Sequence, residues 1–354
     1  MALRRRTEPP KNSKASVQEG PDREGLLAAL GRLKPALRTG GAIPELGHIW
    51  FGSDRASAYD GGLGIRLTLE TGLACGAPGR PLMGLLGTSA LKQVALEQEE
   101  ADLLVRLGKS KTKLKVLPSE RDPWPFPAQH LGKPARVSEA AVEALRAVLV
   151  VKPSPATRLE HHGVIVYCSG SRTIAQATYS EKATGLPKFL FVPRPLAEQI
   201  VVLCPRGAEL YVAEDHLAAV GSGVELCSNV LDTTGLVDIP KVVQKTHGPH
   251  PDSVALPAGL EAALDRAEVL AGSEGEAVVA VTVRGRKFSL AGKYQYGELQ
   301  EDLVLEADHP DVEIAVVTLA LRRGMLSADA FSSTKDSMAF YGGDNFLYLV
   351  AART

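Results

Sequence analysis

Apolar residues recur at helical spacing in three widely separated stretches. Leu26, Leu27, Leu30, Leu33 and Leu37 mark one face of a helix that Thr39-Gly40-Gly41 brings to an end. The same leucine- and alanine-rich pattern follows at Ala141–Val151 and Gly259–Ala271, so three copies, the first at Leu26–Leu37, stand roughly 115 residues apart. After each copy the chain alternates apolar and polar positions, which predicts strands, and then shows a second, shorter amphipathic helix. These second helices are predicted at Leu82–Gln93, Arg194–Leu203 and Val317–Met325.

The predicted strands are short and closely spaced. In the first unit they are His48–Ser53, Gly64–Leu69, Ala101–Leu107 and Lys113–Leu117. The second unit has Gly163–Cys168, Thr173–Thr178, Glu209–Glu214 and His216–Val220. In the third they are Ala277–Val283, Lys287–Ala291, Glu301–Glu306, Val312–Ala315, Ser337–Tyr341 and Asn345–Ala351. Most connections are too short to hold a crossover helix, so the expected class is α+β with antiparallel sheets rather than a doubly wound parallel sheet. Prolines at 118, 123, 125, 127 and 134 mark one boundary, and the His-, Gly- and Pro-containing stretch Lys245–Asp252 marks another. The expected organisation is a disordered basic arm over 1–21 and three domains over 22–133, 134–249 and 250–354. Three copies of one αβ pattern point to pseudo-rotation about an axis, and a protein that surrounds an axis can work by encircling something.

Composition narrows the picture. At 354 residues the chain is long enough for two or three domains with separate cores. Its 45% apolar and 23% charged content is that of a soluble globular protein. No apolar run approaches the ~20 residues of a membrane-spanning helix. The start carries Arg4, Arg5, Arg6, Lys11 and Lys14 with two prolines, and has no apolar stretch of the secretory kind. With a net charge of -1, any contact with nucleic acid must use a local basic patch. Cys75, Cys168, Cys204 and Cys227 have no metal-ligand spacing and read as buried reduced thiols, consistent with a cytoplasmic protein. No metal or cofactor is expected.

The order of many short segments resembles the bacterial β sliding clamp, the processivity subunit of DNA polymerase III. In the first unit the resemblance rests on Leu26-x-x-Ala29-Leu30 with Lys34-Pro35, on Ile43–Ile49, on Ala58–Gly61, on Leu103–Gly108 and on Leu117-Pro118. In the third it rests on Asp265–Ala271, Tyr296–Asp302 and the ending Phe346–Arg353. The second unit departs most, reading Ala177-Thr178-Tyr179-Ser180-Glu181-Lys182 where the family has an Ala-Thr-Asp-Gly-His-Arg type of turn. The resemblance implies three clamp domains per chain and a head-to-tail homodimer closed into a ring. Helices would line its pore and sheets would lie outside. Its partners would be duplex DNA, a DNA polymerase and a clamp loader, the two proteins recognised through short peptide motifs, with no membrane and no catalysis.

Three groups of residues follow as expectations. Cations recur on the helices of each unit: Arg32, Lys34 and Arg38, Lys92, Arg146 and Lys152, Arg194 and Arg206, Arg266, Arg322 and Arg323. A ring that slides needs attraction to phosphates without base readout, and flexible cations supply it. For the subunit junction the resemblance implies a basic strand with Lys109, Lys111, Lys113 and Leu114, facing acidic Glu298, Glu301 and Asp302, with Val269 and Leu270 beside them. Exposed ion pairs contribute about 0–1 kcal/mol each, so apolar packing must carry such a junction and charge must set its register. For partner peptides it implies a groove with His161, Thr178, Ser180, Lys182, Lys241, Val242, Tyr348, Val350 and Arg353; the alternative is that Tyr348 and Val350 complete a strand's core.

Two rival classes stay open. One is a clamp-shaped scaffold or decoy outside replication, which the altered turn at Tyr179–Lys182 allows. The other is an enzyme that uses His161 or His162 with Cys168 and Asp232 or Asp238. Adjacent histidines on a strand point to opposite faces, which opposes the enzyme, and no HExxH, GxSxG, P-loop or GxGxxG motif is present.

Overall fold

The structure, a computed structural model, describes residues 22–127, 129–130, 132–151, 154–160, 173–179, 189–231, 253–272, 277–343 and 345–353, and the backbone of 164–168. The basic arm, Lys152, His161, His162, Ser180, Lys182, Asp232, Asp238, Lys241, Val242, the whole expected boundary at Lys245–Asp252 and the Cys168 side chain lie outside these. The chain forms two compact units. One takes in the described residues up to Ala58 together with Leu69–Pro123, and the other holds Tyr59–Thr68 and everything from Trp124 onward.

In the first unit, α1 (Arg23–Leu33) starts at Asp22, whose carboxylate accepts from the Gly25 N–H at 3.1 Å. Glu24 in its first turn and Arg32 in its last complement the helix dipole. Leu26, Leu30 and Leu33 are buried, and Pro35 opens a 3-10 turn over Lys34–Ala36. The second helix, α2 (Gly79–Gly87), stops short of the predicted Gln93. After Gly87 the Ser89 hydroxyl accepts from the Leu91 N–H, a local bond that competes with helix continuation. The helices pack together, and Arg23 donates to the Leu86 carbonyl at 3.0 Å.

Strands β1 (His48–Phe51) and β2 (Arg55–Tyr59) belong with this unit except for Tyr59, while β3 (Leu63–Thr68) belongs to the other. Then come β4 (Cys75–Pro78), β5 (Ala95–Glu99), β6 (Asp102–Leu107), β7 (Ser110–Lys115) and β8 (Leu117–Pro118). They form a layer in the order β8-β4-β1-β2 and a three-stranded sheet in the order β5-β6-β7.

The second unit runs through β9 (Ala135–Ser138), α3 (Glu139–Val148), β10 (Ala156–Glu160), β11 (Val164–Cys168), β12 (Thr173–Thr178), β13 (Phe189–Pro193) and α4 (Arg194–Leu203). Next are β14 (Gly207–Val212), β15 (His216–Gly221), β16 (Val224–Asn229), β17 (Val254–Ala255) and α5 (Leu260–Ala271). The last elements are β18 (Val278–Tyr294), β19 (Gly297–Val317), α6 (Thr318–Met325), β20 (Ala330–Ser333), β21 (Ser337–Gly342) and β22 (Phe346–Ala351). Helix α3 packs on α4 and α5 on α6, so the helix pair of the first unit recurs twice here. Every strand pairing in the unit is antiparallel, as the short connections predict.

Two sheets in this unit join stretches that the sequence assigns to different domains. One, ordered β3-β16-β15-β14-β9, pairs Gly64 with Cys227 and Leu67 with Val224. The other, ordered β13-β10-β11-β12-β22-β21-β20-β17, pairs Thr173 with Val350 and Ala177 with Phe346. Four predicted strands of the third domain merge into one long hairpin, β18 with β19, with register shifts around Gly285. The charged stretch Arg284–Arg286 that separates them in sequence is no obstacle to backbone pairing, because its side chains lie toward solvent.

The proline-rich stretch is partly a packed strap. Trp124 and Phe126 lie against Tyr59, Tyr211, Ala218 and Cys227. A Cβ on Gly64 would stand 2.9 Å from the Trp124 ring and 3.0 Å from Phe126, so glycine lets the strap close on β3. Gly324 does the same for α6, where a Cβ would meet Tyr348 at 2.5 Å and Phe340 at 2.9 Å. Gly324→Ala should therefore lower stability by about 1–3 kcal/mol through overpacking. Gly84→Ala in α2, where no atom lies within 4 Å of the added carbon, should be neutral or stabilising. Urea unfolding of the two variants checks the contrast.

Candidate functional site

The helix cations fall into two electrostatic classes. In the second unit Arg146 pairs with Glu143 at 3.0 Å. Arg194 pairs with Glu198 at 2.7 Å and donates to the carbonyls of Leu149 and Val151, tying the end of α3 to the start of α4. Arg266 pairs with Glu301 at 2.7 Å, and Arg322 bridges Asp265 at 2.8 Å and Glu268 at 2.5 Å. Arg323 acts on the buried Tyr348 phenol. Arg206, just past α4, is exposed. In the first unit Lys34, Arg38 and Lys92 are exposed and Arg32 half-buried, and none of the four forms an ion pair among the described residues.

The expected junction residues sit on strand edges and on an apolar surface. Strand β7 is an edge of its sheet, with Lys109, Lys111 and Lys113 exposed and Leu114 half-buried. Lys113 already pairs with Glu99 at 2.9 Å, which raises its pKa. The acidic set is likewise partnered within the chain: Glu298 with Lys293, Glu301 with Arg266, and Asp302 with Lys287. A hydrogen bond from Ser289, then Lys287, hold the Asp302 carboxyl below its ordinary range. Val269 is 76% exposed, Val304 71% and Tyr296 66%, and the Tyr296 N–H donates to the Leu270 carbonyl. The sequence reading singled out Val269 and Leu270 but not Val304 and Tyr296. Val304 is exposed on β19 and Tyr296 in the turn between β18 and β19, and periodicity alone specifies neither.

The described groove residues differ in exposure. Tyr348 and Val350 are each 1% exposed, and Tyr348 packs edge-on to Phe340 within the core. Burial pushes the Tyr348 phenol pKa well up. Thr178 is exposed at the far end of β12 from Thr173, the partner of Val350, and five residues of strand make that about 17 Å. Arg353 is exposed, with its N–H on the Ala315 carbonyl. Tyr179, in the turn that departs from the family, is a core residue whose hydroxyl donates to the Glu160 carbonyl at 2.9 Å, and burial pushes its pKa up to about 12. Beside it, a cleft of about 380 Å³ opens among Ala140, Glu143, Ala144 and Ala147 of α3, Thr178, Tyr179, Asn345 and Phe346.

One buried polar cluster has no sequence signature, because its members are some 160 residues apart at the extremes. Arg66 donates to Glu225 at 3.0 Å and stacks over Trp124 at 4.0 Å. His130 Nε2 lies 2.9 Å from the other Glu225 oxygen, and the Cys227 thiol donates to that oxygen at 3.6 Å. The ligand atoms of His130, Glu225 and Cys227 lie within 4.8 Å of one another, close enough to share an ion. Two facts oppose a cation there: Arg66 already neutralises Glu225, and burial, reinforced by Glu225, pushes the Cys227 thiol well up. The cluster's geometry serves to hold the strap on the sheet.

No protein-family model and no curated protein matches this sequence. Solved structures do. The β sliding clamp of Bartonella birtlesii, bound to griselimycin, superposes with a TM-score of 0.79 at 18% identity, over 95% of this chain and 99% of that one. The β subunit of the Streptococcus pyogenes DNA polymerase gives 0.76 at 15%, over 94% and 99%. The C. crescentus β sliding clamp gives 0.76 at 18%, over 94% and 97%. The chain has the DNA-clamp fold. At these identities the likeness speaks to fold alone.

The thiols give a direct check on the buried cluster. Burial raises Cys75 to about 11 and Cys227 further, so both stay protonated, and hence unreactive, far into the alkaline range. A folded pKa above the unfolded value stabilises the fold below the unfolded pKa, and this contribution fades as pH rises toward the folded one. Both cysteines should resist alkylation at pH 8 in the native protein and react once urea unfolds it, as mass spectrometry of the labelled peptides would record.

Proposed function

We propose that this protein is a DNA sliding clamp: a non-catalytic homodimeric ring that encircles duplex DNA in the cytoplasm and tethers a replicative polymerase. The observation that carries the reading is the likeness to β sliding clamps over 94–95% of this chain and 97–99% of theirs. Among the described residues no helix is long and apolar enough to cross a membrane.

The subunit junction in this reading joins the β7 edge of one chain to the α5 and β18–β19 region of the other. An edge strand carries unpaired backbone groups that another chain can cover. Val269, Tyr296 and Val304 supply exposed apolar area, and the intramolecular ion pairs of Glu298, Glu301 and Asp302 are exposed enough to exchange partners at little cost. Closure after two subunits makes a ring. Partner peptides from a polymerase and a clamp loader would dock near the Thr178 end of β12, where the surface is open, rather than on the buried Tyr348 and Val350.

Two measurements test the reading. Val269→Glu with Leu270→Glu should give a folded monomer, since Val269 is free of the chain's own core while two buried charges at a junction cost several kcal/mol. A double variant still dimeric in sedimentation at micromolar concentration would remove this junction. Protein loaded on nicked circular duplex should be released when the circle is linearised. Retention on linear DNA of equal length would contradict encirclement.

A further inference from the structure

The helices of the two units differ in charge in a way that the recurring sequence pattern hides. Along α1 and the turn after it, Arg23, Arg32, Lys34 and Arg38 stand against Glu24 alone, a surplus of three positive charges. Arg80 and Lys92 add two more on and after α2, with no acid between Gly79 and Gln93. In the second unit the helices oppose one another. Counted with the residues just past their ends, Glu139 and Glu143 balance Arg146 and Lys152 for α3, and Arg194 and Arg206 exceed Glu198 by one for α4. Glu261, Asp265 and Glu268 outnumber Arg266 in α5 by two, which cancels Arg322 and Arg323 of α6.

Geometry sharpens the difference. Arg146, Arg266 and Arg322 are each engaged by carboxylates at 2.5–3.0 Å. Such an arginine must leave its carboxylate to meet a phosphate, and the carboxylate left behind repels the same phosphate. The net electrostatic gain is small, and few counterions are released from the nucleic acid. Lys34, Arg38 and Lys92 are exposed and Arg32 half-buried, without ion pairs among the described residues, and can neutralise phosphates outright.

We infer that the phosphate-binding surface of this protein is confined chiefly to the helix pair of the first unit, with Arg32, Lys34, Arg38 and Lys92 as its cations. The helix pairs of the second unit are charge-compensated surfaces past which duplex DNA moves without being held. The inference rests on the DNA-encircling reading and divides the labour within it. One cationic patch per chain gives weak, sequence-independent attraction, whereas cations on every helix pair would hold the duplex tightly.

The experiment is a salt titration of binding to a linear mixed-sequence duplex of about 20 base pairs, followed by fluorescence anisotropy, for three full-length proteins. They are the wild type, a first-unit set (Arg32→Gln, Lys34→Gln, Lys92→Gln) and a second-unit set (Arg146→Gln, Arg266→Gln, Arg322→Gln). All three keep the N-terminal arm, and circular dichroism melting establishes that each is folded. Each lost phosphate contact reduces the slope of log K against log salt by about 0.9, so the first set should lower it by about 2–3. The second set should lower it by less than about 1. Equal losses, or a larger loss from the second set, overturn the inference and leave the DNA reading standing. A wild type with no salt-dependent binding to the linear duplex overturns the inference, while the encircling reading stands or falls on the linearisation test.

Discussion

An antiparallel sheet can end only where its last strand is covered or left bearing unpaired backbone groups, and this constraint organises the second unit. Strand β3, which the sequence assigns to the first domain, finds its partner in β16. Strand β22 pairs with β12 about 170 residues earlier in the chain. The first pairing makes β16 an interior strand, and the second makes interior strands of both β12 and β22. The repeats are thus joined by backbone hydrogen bonds and not by side-chain contact alone, and the strap of Trp124 and Phe126 and the close seat of α6 on Tyr348 are built on sheets already joined. Glycine at 64 and 324 removes the one carbon that would hold these layers apart.

The buried polar cluster belongs to the same logic. Glu225 lies on β16 and takes Arg66 from β3 on one oxygen and His130 from the strap on the other. A carboxylate, a guanidinium and an imidazole on three separate segments meet where the strap closes over the sheet, with the Arg66 Nε and the His130 Nδ1 left without hydrogen-bond partners among the described residues. Leaving any one unpaired would cost more than the pair contributes, which makes the cluster a register device more than a source of net stability. Its histidine, glutamate and cysteine are near enough for metal or nucleophile chemistry, yet a protonated thiol and a neutralised carboxylate favour the structural role.

Electrostatics separates the units more sharply than their shared pattern implies. The three helix pairs share one recurring pattern, yet their cations are free in the first pair and mostly spoken for in the others. A near-neutral chain can still bind a polyanion if its compensation is local and one surface is left out of it. The same local pairing occurs at Glu298, Glu301 and Asp302, while Val269, Tyr296 and Val304 stay exposed as apolar area.

From its sequence alone this chain determined its helices, its class and its internal repetition. The six helical stretches are those of leucine and alanine at helical spacing, and Arg194–Leu203 was legible to the residue because Pro193 and Cys204 bracket an amphipathic turn pattern. Those signals are local, set within a turn or two of backbone. Tertiary structure alone decided what depends on distant partners. Short strands such as β10 and β13 carry no alternation strong enough to read and exist because they pair with each other. The expected groove includes both Thr178 and Val350, and it is the β12–β22 register that sets them at opposite ends of one pairing. Tyr348 could have been an anchor or a core residue, and the seat of α6 over it made it core. Whether an arginine is free or paired was equally invisible, because the acids that answer Arg266 and Arg322 come from other turns and other strands. Composition counts charges, but only the fold decides which of them meet.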